Sequence, residues 1–315
     1  MKKMPVIMDV DTGVDDAMAI ILAWSQRDKL DLLGITTVAG NLPLTRTTCN
    51  TLTVAELCGA VDVPVAAGAD KPLFIPLHTA EEVHGAVGLG NVVFPEPKKR
   101  AEKEHAVAFL RRRIGESPRP VTLIPVGPLT NIALLLLSCP EVKKNIGRIV
   151  MMGGAAFRGN ESAVAEFNIF VDPEAARIVF ESGIPIVMCG LDVTMQALVF
   201  PEEIEAIRNS GSAAGRFCAD MLTYYLQAAL RYKDSRGGCA VHDAAAVCCA
   251  LYPDMFTGKR GRITVDLNGA HTRGCTVTDL RDSLPDEQKN ATVALGIDRE
   301  RFVKLLIESV RGRAS

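Results

Sequence analysis

The chain has 315 residues, 48 % of them hydrophobic and 23 % charged, an ordinary balance for a globular protein with a sizeable buried core. Its 35 basic and 37 acidic side chains leave a formal net charge of −2, and the basic runs Lys98-Lys99-Arg100 and Arg111-Arg112-Arg113 read as solvated faces, which argues against a nucleic-acid partner. No apolar run is long enough for a signal core or a membrane span, and nine cysteines without C-x-x-C spacing argue against a disulfide framework, so a reducing cytoplasm is the expected compartment.

Short β-branched runs alternate with helical periodicity from the start. Residues 6–10 read as a strand, and 15–26 as a helix with apolar positions three and four apart. A second strand at 32–38 leads to a helix over about 44–58, and 63–66 is a short third strand. Residues 68–100, rich in Pro, Gly and His and lacking periodicity, read as a long functional loop. Further buried strands are expected at 121–126, 148–152 and 185–189, each followed by a turn and then a helix or loop. Three strand-like runs at 263–267, 275–280 and 291–295 have no helices between them and predict an antiparallel edge or hairpin attached to the main sheet, and a helix over 298–311 closes the chain. Nearly continuous apolar strands separated by helices mean an α/β fold. The expectation is an open, mostly parallel sheet flanked by helices, with a small antiparallel C-terminal extension, in one domain over 1–315.

In such a sheet, ligands bind beyond the carboxyl ends of the strands. Asp9, Asp11, Asp15 and Asp16 follow the first strand and Asn41 the second. Gly127-Pro128-Leu129-Thr130-Asn131 and Gly153-Gly154 follow later ones, with Asn160, Glu166-Phe167-Asn168 and His242-Asp243 beyond. Helix capping, worth roughly 0.3–1 kcal/mol per carboxylate, accounts for Asp15 and Asp16 in a first helical turn. It does not account for Asp9 and Asp11, because clustered carboxylates raise each other's pKa unless a cation compensates. Carboxylate oxygens without cysteine or histidine suit Ca²⁺ or Mg²⁺. Asp243 reads either as a remote ligand of that ion or as the N-cap of a helix over 244–251. His242 reads either as a packed core histidine or as a proton donor to a leaving group. Asn41, Asn160 and Asn168 either hold loops or form, with Glu166, a sugar-hydroxyl site. Two other classes share parts of this pattern. Asp9-Val10-Asp11-Thr12 matches the nucleophile motif of haloacid-dehalogenase-type Mg²⁺ phosphatases, but no later acidic G-D-x-x-x-D motif is found. A non-catalytic calcium-dependent nucleoside binder would need neither Asp11 as base nor His242 as acid.

The run Asp9-Val10-Asp11-Thr12-Gly13-Val14-Asp15-Asp16 resembles the D-x-D-P-G-x-D-D signature of the inosine–uridine preferring nucleoside hydrolase family. The resemblance continues through Thr36 to Asn41, His84-Gly85, Val126 to Ala133, Met151 to Gly154, Ala165 to Ile169, Asp172 to Ala176, Gly190 to Thr194 and Val241-His242-Asp243. Over 127–196 it is similar to the bacterial broad-specificity ribonucleoside hydrolases in particular. It implies the Rossmann-like nucleoside hydrolase fold, assembly as a homodimer or homotetramer, and hydrolysis of the N-glycosidic bond of purine and/or pyrimidine ribonucleosides. It further implies Ca²⁺ held by Asp11, Asp16, Asp243 and the backbone carbonyl of Val126, with Asp11 taking a proton from the calcium-bound water. Asp15, Asn41, Asn160, Glu166 and Asn168 would hold the ribose hydroxyls, and Met152 and Phe167 would line the pocket. His242 would protonate the departing base, and His84 would sit in the loop that closes over it. Residues 222–238, containing Tyr224, Tyr225, Arg231 and Tyr232, would flank the base. Thr12, Ala86 and Met195 depart from the family's usual proline, glutamate and polar residue, the last two at positions that bear on base preference.

Overall fold

The computed structural model describes residues 2–90, 92–231 and 235–311. The chain opens with β1 (Met4–Val10), α1 (Val14–Ser25), β2 (Leu30–Thr37), α2 (Leu44–Leu57) and β3 (Val65–Ala67). Between β3 and α4 (Ala106–Glu116) lies the expected long loop, interrupted by the single turn α3 (Glu81–His84). There follow β4 (Val121–Pro125), α5 (Thr130–Ser138), β5 (Ile146–Met152), α6 (Phe167–Val171), α7 (Pro173–Phe180), β6 (Ile186–Cys189) and α8 (Leu191–Thr194). Next come β7 (Leu198–Val199), α9 (Pro201–Arg208), α10 (Ala213–Ala229), β8 (Cys239–Ala240) and α11 (His242–Leu251). The chain finishes with β9 (Phe256–Val265), β10 (Thr276–Asp279), β11 (Ala291–Ile297) and α12 (Arg299–Ser309).

Strand alternation distributes the core over the two faces of the sheet. Val6, Met8 and Val10 of β1 and Val150 and Met152 of β5 join the cluster that includes α1, α10 and α11. Ile7, Ile149 and Met151 point the other way, into the cluster built with α5 and α7. Helix α1 is buried from Val14 to Ala23 and packs on α11, which is why its sequence is apolar nearly all round.

The nine-stranded sheet runs β10-β9-β11-β6-β5-β4-β1-β2-β3. Its β3-β2-β1-β4-β5-β6 portion is parallel throughout, in the order of the doubly wound dinucleotide-binding fold. Chain direction across the sheet reverses between β1 and β4, so a crevice opens beyond the carboxyl ends of these two strands. Asp11 and Val126 follow those ends directly.

The expected antiparallel edge is present and is attached to the main sheet through β11. Of its three strands, β11 pairs parallel with β6 and antiparallel with β9, so it extends the main sheet; β9 alone runs against that sheet, and β10, antiparallel to β9, runs in the main-sheet direction. Strand β9 also begins earlier than expected, because Gly258 to Arg262 is polar and largely exposed and carries no apolar alternation. A separate two-stranded antiparallel pair, β7 with β8, was not anticipated, each strand being two residues long.

Candidate active site

The crevice is a cavity of about 350 Å³. Asp15, Asn41, His84, Val126, Met152, Asn160, Glu166, Phe167, Asn168, His242 and Asp243 all line it, so eleven of the thirteen positions singled out in the sequence meet in one space. The other two, Asp11 and Asp16, are fully enclosed just beneath.

Asp15, Asp16 and Asp243 each offer a carboxylate oxygen within 4.8 Å of the other two. Asp11 lies alongside rather than in that group, its backbone N–H donating to Asp16 Oδ1 and its own Oδ2 accepting from the Asn41 backbone N–H at 2.7 Å. A Cβ at Gly40 would lie 2.2 Å from the same Asp11 oxygen, so only glycine permits that approach. Asp16 combines both readings of its sequence position. It accepts from the N–H groups of Asp11 and Gly13 at 3.1 and 2.9 Å, capping α1, and from Asn41 Nδ2 at 3.2 Å. Asp243 is not a cap: α11 begins one residue earlier, at His242, and Val241 holds the N-cap position.

Burial first, then the neighbouring carboxylates, hold Asp11, Asp15 and Asp243 well above the ordinary carboxylate range, and burial raises Asp16 as well. Among the described residues Asp11 Oδ1 and Asp15 Oδ1 are buried without any hydrogen-bond partner. Unsatisfied, mutually repelling, all-oxygen donors fit a hard divalent cation. Val126 can contribute its carbonyl: Asn168 Nδ2 donates to that oxygen at 2.7 Å, which uses one of its two lone pairs. Asp9 stands apart. Its Oδ1 accepts from Thr36 Oγ1 at 2.5 Å and Asn131 Nδ2 at 2.8 Å, which makes it an internal tie between β1, β2 and α5.

Opposite the acids, Glu166 Oε2 accepts from the N–H groups of Gly154 and Ile169 at 2.8 and 3.3 Å, leaving Oε1 for the cavity, and burial pushes its pKa up to about 7. Asn160 Oδ1 accepts from the Phe167 N–H at 2.9 Å, so its amide NH₂ is the part left to a ligand. Burial lowers both histidines, His84 to about 3 and His242 to about 4, so each is a neutral ring near pH 7. His84 Nδ1 accepts from the Val14 N–H at 3.2 Å, and the ring stacks on Tyr225 with centroids 5.5 Å apart. His242 Nδ1 lies 2.7 Å from Thr194 Oγ1.

The sequence model of the inosine-uridine preferring nucleoside hydrolases matches residues 6–304. The chain belongs to this family. It is 46 % identical to the pyrimidine-specific ribonucleoside hydrolase RihA of Shewanella woodyi, over 97 % of each chain. Identity to the protein of the same name from Citrobacter koseri is 43 %, over 99 % of each. A solved purine-preferring ribonucleoside hydrolase from Gardnerella vaginalis superposes with a TM-score of 0.91 at 37 % identity, covering 98 % of each chain.

The chain is therefore a nucleoside hydrolase, an enzyme that breaks a glycosidic bond. The phosphatase reading of the first strand falls with this assignment. Of the three departures, Thr12 is buried and hydrogen-bonded to Thr51 at 2.6 Å, Met195 lines the cavity and Ala86 is exposed outside it. Tyr225 lines the cavity among the residues expected near the base, whereas Tyr232 lies outside the described residues. Sequence reasoning missed Thr194, Leu191, Leu198 and Arg158 as parts of the site. Leu191 and Thr194 fell within a quoted motif, and Leu198 and Arg158 carry no distinguishing local pattern. All nine cysteines are free, and no helix among the described residues is long and apolar enough to cross a membrane.

Proposed function

We propose that this nucleoside hydrolase, as one domain over 1–315, hydrolyses the N-glycosidic bond of ribonucleosides with Ca²⁺ held by Asp11, Asp16, Asp243 and the Val126 carbonyl, and with Asp15 at its edge. The observation that carries the reading is the pair of partnerless buried oxygens, Asp11 Oδ1 and Asp15 Oδ1, beside Asp16 and Asp243 at the floor of a nucleoside-sized cavity. A divalent cation there supplies Lewis acidity, which favours ionisation of water and orients vicinal hydroxyls.

The chain's own groups do the rest. Asp11 Oδ1, with no other partner, accepts the proton of the attacking water. Asp15, Asn41 and Asn168 hold the 2′- and 3′-hydroxyls. Glu166 Oε1 and the Asn160 amide hold the 5′ end, and Met152 and Phe167 pack the sugar. Fixing the ring in this way places C1′ for attack, and the surrounding carboxylates stabilise the positive charge that develops on it. His242 supplies the leaving base with a proton or hydrogen bond, while His84 and Tyr225 enclose that base. The name shared by the two curated relatives supports a preference for pyrimidine over purine ribonucleosides, and the family resemblance supports a homodimer or homotetramer in a cytoplasmic setting.

The test is reducing-sugar release from uridine, cytidine, inosine, adenosine and guanosine, with metal analysis of the purified protein. The expected result is one Ca²⁺ per chain and faster turnover of uridine and cytidine. Zinc at the site, or full activity after chelation, would refute the metal assignment, and faster turnover of the purines would refute the base preference.

A further inference from the structure

His242 and Thr194 come from different parts of the fold. His242 starts α11, whereas Thr194 ends α8, just beyond β6. Their side chains meet at 2.7 Å, Oγ1 to Nδ1, across 48 positions of sequence. Thr194 is wholly buried, and α8 is firmly held. Its Asp192 carboxylate accepts from the N–H groups of Ala156 and Phe157 at 2.6 and 3.2 Å, and the Gln196 amide ties Asp192 O to Leu295 O at 2.6 and 2.7 Å. A β-branched side chain on such a turn has little rotameric freedom.

We propose that the Thr194 hydroxyl decides which nitrogen of His242 carries the proton, donating to Nδ1 so that Nε2–H is presented to the departing base. Thr194 is then a positioning residue for leaving-group activation, and the inference rests on the reading of His242 given above. Among the described residues, the hydrogen bond of Thr194 Oγ1 is the one to His242. A buried hydroxyl proton needs an acceptor, and the Nδ1 lone pair is the one within reach. Were Nδ1 protonated instead, two protons would face each other or the hydroxyl proton would be left without a partner. With Nδ1 engaged, Nε2 is the ring nitrogen left for the cavity that His242 lines. With Nδ1 accepting, the ring proton stands on Nε2 as a hydrogen-bond donor to the departing base.

Three variants of the full chain in Ca²⁺ test this on uridine and on p-nitrophenyl riboside, whose leaving group departs without a proton. Thr194→Val keeps the shape and removes the hydroxyl. It should lower kcat on uridine by roughly ten- to a hundredfold, a share of the roughly 10²–10⁴ that a positioned acid contributes, with KM little changed and p-nitrophenyl riboside near wild-type rates. Thr194→Ser should recover most of the loss. NMR of the wild-type chain labelled with [15N]histidine should show His242 as the Nε2–H tautomer, a readout that stands even if Thr194→Val folds poorly. Finding the Nδ1–H tautomer in the wild type, undiminished uridine turnover in Thr194→Val, or equal slowing of both substrates would overturn the proposal. His242→Ala separates the two readings. If it is selective for uridine and Thr194→Val is not, the Thr194 inference alone fails. If His242→Ala slows both substrates equally, the assignment of His242 as the acid fails and the inference falls with it.

Discussion

Gly13 and His84 pack so closely that no side chain fits between them: a Cβ at Gly13 would lie 2.5 Å from His84 Nδ1 and 2.9 Å from Cε1. The backbone of Gly13, at φ −100°, is open to any residue, so the glycine is required by the imidazole and not by a turn. The signature loop carrying the acidic cluster thus also seats His84 of the long loop, through the Val14 N–H.

Gly13→Ala should therefore displace His84 and lower kcat/KM for nucleosides while leaving Ca²⁺ affinity largely intact. In a His84→Ala background the same substitution should have almost no further effect, since neighbouring sites couple only through the contact they share. Steady-state kinetics on the four proteins of the cycle measure this. A full additional loss in the double variant would show that Gly13 serves something other than His84.

Stability of the metal-free protein should fall as pH rises. Asp9 and Glu166 hold their protons up to about pH 7 in the folded chain, against ordinary values of 3.8 and 4.5. Between these limits the folded state binds more protons than the unfolded one, so the contribution is complete below about pH 4 and is lost as pH passes about 7. Asp11, Asp15 and Asp243 are raised as well and act in the same direction, and together these five carboxyls outnumber His84 and His242, whose lowered values act the opposite way below about pH 6.5. Ca²⁺, which needs the ionised carboxylates, should raise the melting temperature more at pH 8 than at pH 5. Calorimetry with and without chelator checks both, and a metal-free melting temperature that climbs from pH 5 to pH 8 would contradict the assignment.

Asp9 and Asp243 should separate folding from metal binding. Asp9→Ala orphans one buried N–H of Asn131, at about 1–3 kcal/mol, leaves the Thr36 hydroxyl only its longer contact to the Met8 carbonyl, and should lower unfolding free energy in urea without removing the metal from the folded fraction. Asp243→Ala should do the reverse, giving a folded chain that binds Ca²⁺ weakly in titration calorimetry. Equal Ca²⁺ affinity in wild type and Asp243→Ala would remove Asp243 from the ligand set.

2′-Deoxyuridine should be turned over of order 10²-fold more slowly than uridine, because a site built around a hydroxyl leaves its buried acceptors unpaired when the hydroxyl is missing. Asp15 Oδ1 is such an acceptor, buried and partnerless. Comparable kcat/KM values for the two nucleosides would place the sugar in a different orientation.

Much of this was legible in sequence because it is local. Nearly continuous apolar, β-branched strand runs and period-three-to-four helices are short-range signals, so the expected β1, β2, β4, β5 and β6 lie within two residues of the observed ends. Residue type at strand ends carried the chemistry, since four aspartates in eight positions have few other uses. What only the tertiary structure decided depends on approach between distant segments. Asp9 reads like its neighbours, yet Thr36 and Asn131 claim it; Asp15, not Asp11, shares the tightest group with Asp16 and Asp243. Strand β11 joins β6 in parallel because of pairing across more than a hundred residues. Thr194 sits on His242 and His84 on Gly13 for the same reason. Local sequence sets which face of an element a side chain takes, but the partner it meets there is set by how the elements pack.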